Sequence, residues 1–252
     1  QIAEAHPNFQ FNINKNERNL GYRLNFKKAI DLCTKDIVFL SDQDDIWRVY
    51  KAETIINWFE QHPEKDAVFT NANLIDENGK MFTDRDLFYC WGFDEKAQEY
   101  FDDGYAFELF AIQNRATGAT MAMRRDSLTL TPELSKLSHD YEIALNSIFR
   151  GKFGYIKAPL INYSNYSGQQ IGALHRLNDP LPNNILDTWV EVDWNNILLP
   201  PKWQNELDFL KLRASYRYMS PIMAIVHCKK YKQYYKKPQS SHPYWYWRFI
   251  WN

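Results

Sequence analysis

The sequence predicts an α/β fold: a mixed, mostly parallel sheet flanked by helices, followed by a partly helical extension rich in basic and aromatic residues. Three observations carry this. Short apolar runs at 37–40, 67–70 and 118–123 alternate with segments whose apolar residues recur at helical spacing. The first run stops abruptly in Ser41-Asp42-Gln43-Asp44-Asp45, and open α/β sheets hold their ligands just beyond the carboxyl ends of strands. Residues 211–252 carry nine Lys and Arg with no Asp or Glu, so that stretch differs in kind from what precedes it.

Taken in order, residues 1–7 read as the tail of a helix, and Phe9-Gln10-Phe11-Asn12-Ile13 alternates like a strand. Phe26, Ala29, Ile30 and Cys33 form one face of a helix over 25–33. Ile55, Trp58 and Phe59 do the same over 51–62, where Pro63 stops the helix. Asp76-Glu77-Asn78-Gly79 is a turn after the second strand. Residues 84–113 hold aromatics and acids without a clean period and read as an irregular lobe, an acceptor-side lid. Ser138 is placed to cap a helix that runs to Arg150 and ends at Gly151, and 153–163 returns as extended chain. The segment 183–200 has no assignable period. A helix over 203–219 ends near Pro221. The expected domains are 1–175, built on the sheet, and 176–252, the extension.

At 252 residues and 45% hydrophobic, the chain can bury a full core. Its net charge of −1 argues against nucleic acid as a partner. Cys33, Cys90 and Cys228 are too widely spaced for a disulfide framework or a zinc site, which suits a reducing cytosol. No apolar run approaches the roughly 20 residues a membrane span needs, and the first residues do not read as a signal peptide.

The acidic loop has two readings. Asp42, Asp44 and Asp45 repel one another where a strand end meets the core, and a divalent cation bridging to a phosphorylated ligand would offset that cost. Alternatively the loop is a solvated acidic turn, with Asp45 capping the next helix. For Asp140 the residue-level alternative is likewise a first-turn carboxylate that favours the helix dipole.

Asn19-Leu20-Gly21-Tyr22-Arg23-Leu24-Asn25-Phe26, then Phe39-Leu40-Ser41-Asp42-Gln43-Asp44-Asp45-Ile46-Trp47 with Lys51, resemble the family 2 nucleotide-sugar glycosyltransferases of the GT-A fold. Asn114-Arg115-Ala116-Thr117-Gly118-Ala119-Thr120-Met121, His139-Asp140-Tyr141 and Pro159-Leu160-Ile161-Asn162-Tyr163 follow in the family's order, and the rhamnosyltransferase-like branch is the nearest match. The resemblance spans about residues 9–172, and against it the chain reads as shortened by one or two N-terminal βα units.

The resemblance implies roles. Asp44 is the direct ligand of Mn²⁺ or Mg²⁺, with Asp42 beside it on the ribose or sugar side and Asp45 as a further donor-side acceptor. Asn19, Gly21 and Asn25 form the donor-side loop, and Asp140 is the base that takes the acceptor hydroxyl's proton in an inverting transfer. Two positions depart from the pattern: Ser164 stands where Arg is usual and Tyr166 where His is usual, so Tyr166 is the remaining phosphate contact. Val49-Tyr50 replaces a usual Pro-Asp pair.

The implied activity is transfer from a dTDP- or UDP-sugar to a surface-glycan or lipid-linked acceptor at the cytoplasmic face. The interleaved Lys, Tyr and Trp of 229–251 suit an anionic membrane surface. A non-catalytic sugar-binding or assembly module derived from such an enzyme is the alternative. A nucleotidyltransferase fits less well, because no Gly-rich phosphate loop is present.

Overall fold

The computed structural model describes residues 7–127, 137–166, 199–201, 203–204 and 207–208. Twelve elements follow in order: α1 (Gly21–Asp31), β1 (Ile37–Phe39), β2 (Ile46–Trp47), α2 (Lys51–Gln61), β3 (Ala67–Ile75), β4 (Met81–Asp86), α3 (Leu87–Cys90), α4 (Glu95–Tyr100), α5 (Ala106–Ile112), β5 (Met121–Arg124), α6 (His139–Phe149) and β6 (Phe153–Ser164). They form a mixed sheet flanked by helices, as the sequence predicts. No helix among the described residues is long and apolar enough to cross a membrane.

The strands lie in the order β1-β5-β3-β6-β2, with β4 also paired to β3. Among the described residues only β3 and β6 pair in parallel, and the other four pairings are antiparallel. The expectation of a mostly parallel sheet is corrected in that respect. Strand–helix alternation does send β1, β3 and β6 in one direction, since β1 and β3 both run against β5. What the alternation did not reveal is β5 inserted between β1 and β3 in the opposite sense, supplied by the long excursion after β4.

β3 is buried along nearly its whole length, the mark of a central strand covered on both faces. Its pairing with β6 starts at Ala67 opposite Phe153 and ends at Ile75 opposite Ser164. The register jumps around Asn71, which faces Pro159, so β6 carries extra residues there and bulges. The two edge strands nevertheless meet. The rings of Phe39 in β1 and Trp47 in β2 lie 5.5 Å apart, so the sheet curls strongly.

Phe69 of β3 centres the largest core cluster. It stacks on Phe153 at 5.2 Å and contacts Phe88, Phe93, Phe101 and Phe110. All of these but Phe153 come from 87–112, where α3, α4, a π-helical turn and α5 replace the predicted irregular lid. The aromatic density is core, and its lack of period reflects several short helices that each present one or two rings. Arg115 is buried beneath this lobe and donates to the carbonyls of Leu109, Trp91 and Gly92.

Three smaller expectations change. The described residues 7–20 hold no strand, and Phe9, Phe11 and Ile13 are exposed. The first helix starts at Gly21 rather than Asn25. The third strand starts at Met121, because Gly118–Thr120 is a 3₁₀ turn. From the predicted extension, Leu199 and Leu207 join the core, and Trp203 packs on Phe107 and Phe149. The domain boundary near 175 and the basic aromatic tail lie outside the described residues.

Gly154 leaves no room for a side chain, since a Cβ there would sit 2.4 Å from Cη2 of Trp58. Gly154→Ala is expected to destabilise the fold by about 1–3 kcal/mol through overpacking between β6 and α2. Denaturant unfolding of both proteins measures this, and an unchanged midpoint would contradict the close packing.

Candidate functional site

The acidic loop is strung between the sheet's edges. Leu40 still bonds to the strand system through its N–H to the Met121 carbonyl, and Ile46 and Trp47 pair with Asn162 and Ile161 of β6. Between them lie Ser41 to Asp45. The end of β6 fastens this loop: the Ser164 N–H donates to Asp45 Oδ1 at 2.9 Å, and the Ser164 hydroxyl donates to the Asp44 carbonyl. Ser164 thus holds the loop in shape. Tyr166 is hydrogen-bonded to the Asp44 side chain, and the adjacent charge of Asp44 raises its phenol pKa.

Asp45 does not cap a helix. It leads into β2, and α2 begins only at Lys51, with no side-chain cap at Tyr50. Its Oδ2 is buried without a hydrogen-bond partner. Burial is the main reason the Asp45 carboxyl is pushed up to about 7, with Asp44 and Asp42 adding to it against the Ser164 N–H and Lys51. Asp42 is raised as well, first by burial, then by Asp44, then by Asp140, with Lys51 opposing. The carboxylate of α6 is therefore an electrostatic neighbour of the loop, although 98 positions separate the two residues in sequence.

Asp140 lies in the first turn of α6. Its Oδ2 accepts from the Gly118 N–H at 3.1 Å and its Oδ1 from the Tyr141 N–H at 2.8 Å. A carboxylate offers about four lone-pair sites, so two remain for a ligand. Ser138 occupies the N-cap position, but its side chain makes no capping bond there, contrary to expectation. Gly118 is close to the helix: a Cβ there would stand 3.3 Å from His139 Nε2 and 3.4 Å from Asp140 Cβ.

His139, buried at the start of α6, has neither ring nitrogen hydrogen-bonded. Stacking holds it instead, with the Phe26 ring 3.9 Å away and nearly parallel and Tyr22 edge-on at 6.1 Å. Those aromatics belong to α1, as does Arg23, which pairs with buried Glu142 of α6. The predicted donor-side loop is thereby anchored beside Asp140. Within it, Asn19 accepts from the Gly21 N–H at 2.8 Å, and Gly21 takes φ +72, which a residue with a Cβ adopts only under strain. Asn25 accepts from Asn16 at 2.7 Å. Asn19 and Asn25 are exposed and serve the turn.

Sequence reading noted Lys51 only as part of a motif. Here it is fully buried. Its Nζ donates to the Ala119 carbonyl at 2.9 Å and lies 3.9 Å from the centre of the Trp47 ring. Burial lowers it to about 8, against the pull of Asp45 and Asp42. A signal for it existed, because a lysine opening a helix opposes the macrodipole and needs another reason to be there.

Among the described residues, no group of three His, Cys, Asp or Glu converges to hold an ion. The donor set suits a cation held by one or two carboxylates, Asp44 and Asp42, with phosphate and water completing the shell, as Mg²⁺ is commonly bound. The buried unpartnered oxygen of Asp45 and the raised carboxyls are the strain such a cation would relieve.

The site thus gathers clustered carboxylates at a strand end of a curled mixed sheet, with a helix-borne Asp as their electrostatic neighbour. The family description "Glycosyl transferase family 2" matches residues 1–129, which include α1, the acidic loop and Lys51, and the chain belongs to that family. No curated protein matches the sequence.

Because burial lowers the His139 pKa below its ordinary value of 6.5, with Asp140 opposing and Arg23 assisting, the unfolded chain takes the proton first as pH falls. The contribution of His139 to stability is complete above that value and is lost below it. Replacing it (His139→Gln) should flatten the drop in melting temperature between about pH 7 and pH 5. Parallel melting curves for the two proteins would refute this.

Proposed function

We propose that this chain is an inverting, metal-dependent glycosyltransferase that moves a hexosyl or rhamnosyl group from a dTDP- or UDP-sugar to a hydroxyl of a surface-glycan or lipid-linked acceptor. The observation that carries the reading is the electrostatic proximity of Asp140 to Asp42, which brings a helix-borne carboxylate to the mouth of the acidic loop. Family membership supports the reaction type. In this reading Asp44 and Asp42 hold Mn²⁺ or Mg²⁺, which neutralises the diphosphate and stabilises the charge growing on the leaving group. Gly21, Asn19, Asn25, Asp45 and Tyr166 serve the donor side. Asp140 accepts the proton of the acceptor hydroxyl, held in place by the Gly118 and Tyr141 N–H groups. The reading places the chain at the inner face of a membrane, with an anionic surface as the partner of the tail outside the described residues.

A second reading, a sugar-binding module without turnover, draws on one contact. Tyr166 occupies the Asp44 carboxylate with a neutral phenol, which is a poor metal ligand.

Substituting Asp44→Ala should abolish Mn²⁺-dependent binding of nucleoside diphosphates while leaving the fold intact, since removing a clustered carboxylate relieves repulsion. Calorimetry on both proteins measures it, and equal binding would sink the metal assignment.

For Asp140→Asn, donor affinity should persist while turnover falls about 10²-fold or more. Near-normal turnover would leave Asp140 only its structural bonds to Gly118 and Tyr141.

A further inference from the structure

Lys51 is the one fully buried cation beside the acidic loop among the described residues, and it forms no ion pair there. A buried ammonium is costly unless its donors and its charge are both answered. Two contacts and one field answer it: the Ala119 carbonyl, the face of Trp47, and the longer-range charges of Asp45 and Asp42. Each has a consequence. Trp47 belongs to β2, directly after the acidic loop. Ala119 is the middle residue of the Gly118–Thr120 turn.

That turn is a closed unit. The Thr120 N–H donates to the Thr117 carbonyl at 2.9 Å, and the Thr120 hydroxyl donates to the same oxygen at 2.7 Å. Its other end bonds to Asp140, through the Gly118 N–H to Oδ2. Gly118 packs so tightly on His139 and Asp140 that a Cβ would press on both. A continuous path therefore runs from the acidic loop, through Lys51 and the turn, to the carboxylate of α6.

We propose that Lys51 is a positioning residue: it ties the acidic loop to the Gly118–Thr120 turn and so sets the spacing between the loop carboxylates and Asp140. The inference rests on the reading of the loop as the donor site. It also gives Lys51 an electrostatic duty. One buried positive charge partly neutralises two of the loop carboxylates, Asp45 and Asp42, which eases the approach of a diphosphate and discourages a bare cation.

These duties give a signature that loss of packing alone would not. The full chain, Lys51→Met and Lys51→Arg are titrated calorimetrically with Mn²⁺ alone and with UDP or dTDP in the presence of Mn²⁺, with melting curves alongside. In Lys51→Met, bare Mn²⁺ should bind at least as tightly as in the unaltered chain. Nucleotide affinity should fall about tenfold or more, the scale of one charge-assisted hydrogen bond. Lys51→Arg should recover most of it.

Nucleotide binding by Lys51→Met equal to that of the unaltered chain overturns the role, and so does joint loss of both ligands in a folded variant. If Lys51→Met does not fold, Gly118→Ala decides, since the added Cβ presses on His139 and Asp140 at the far end of the path and leaves Lys51 unchanged. It should lower turnover while nucleotide affinity holds, and unchanged turnover overturns the path. An unaltered chain that binds neither nucleotide overturns the donor-site reading itself, a result distinct from failure at Lys51 alone.

Discussion

A loop of six residues, 40–45, must join β1 to β2, which stand at opposite edges of the strand order. The molecule meets this constraint by curling the sheet until Phe39 and Trp47 touch. The curl draws the loop across the sheet's mouth, where Asp42 and Asp45 are partly buried. Everything that fastens the loop follows from it. Ser164 reaches it from the end of β6 and the Met121 carbonyl from β5, while Lys51, from the start of α2, lies over Trp47 just after it. Without the curl these residues would belong to separate edges.

The electrostatics of the site follow from that crowding. Asp42 and Asp45 are raised chiefly by burial, and only secondarily by each other and Asp44. Density of charge alone would not do this on an open surface, where water screens such groups. Lys51 is insufficient compensation, being itself lowered by the same burial. The same burial thus disfavours the charged forms of the loop carboxylates and of the cation beside them.

Local pattern made much of this legible. Apolar runs marked β1, β3 and β5 to within a few residues, and helical spacing marked α2 closely, because each depends on neighbours in sequence. The acidic loop stood out because Asp is rare at the end of a buried run. Asp140 needed the family resemblance, since a first-turn Asp looks the same whether or not it faces a cleft. The antiparallel insertion of β5 was hidden because strand direction is set by connections across the chain. The lobe around Phe88 to Phe110 was misread because short helices, capped at Asp86 and Asp94, show too few turns for a period to emerge. Lys51 was undervalued because its burial arises from residues far along the chain.

The bulge near Pro159 gives β6 two characters. Before it, Phe153 and Tyr155 belong to the aromatic core; after it, Ile161 to Ser164 grip β2 and the acidic loop. Extra residues at that point absorb a change of phase, so the terminal segment need not obey the geometry of the initial one. The strand is therefore a natural graft junction. Changes in its last residues are expected to leave the register of the hydrophobic interior in place.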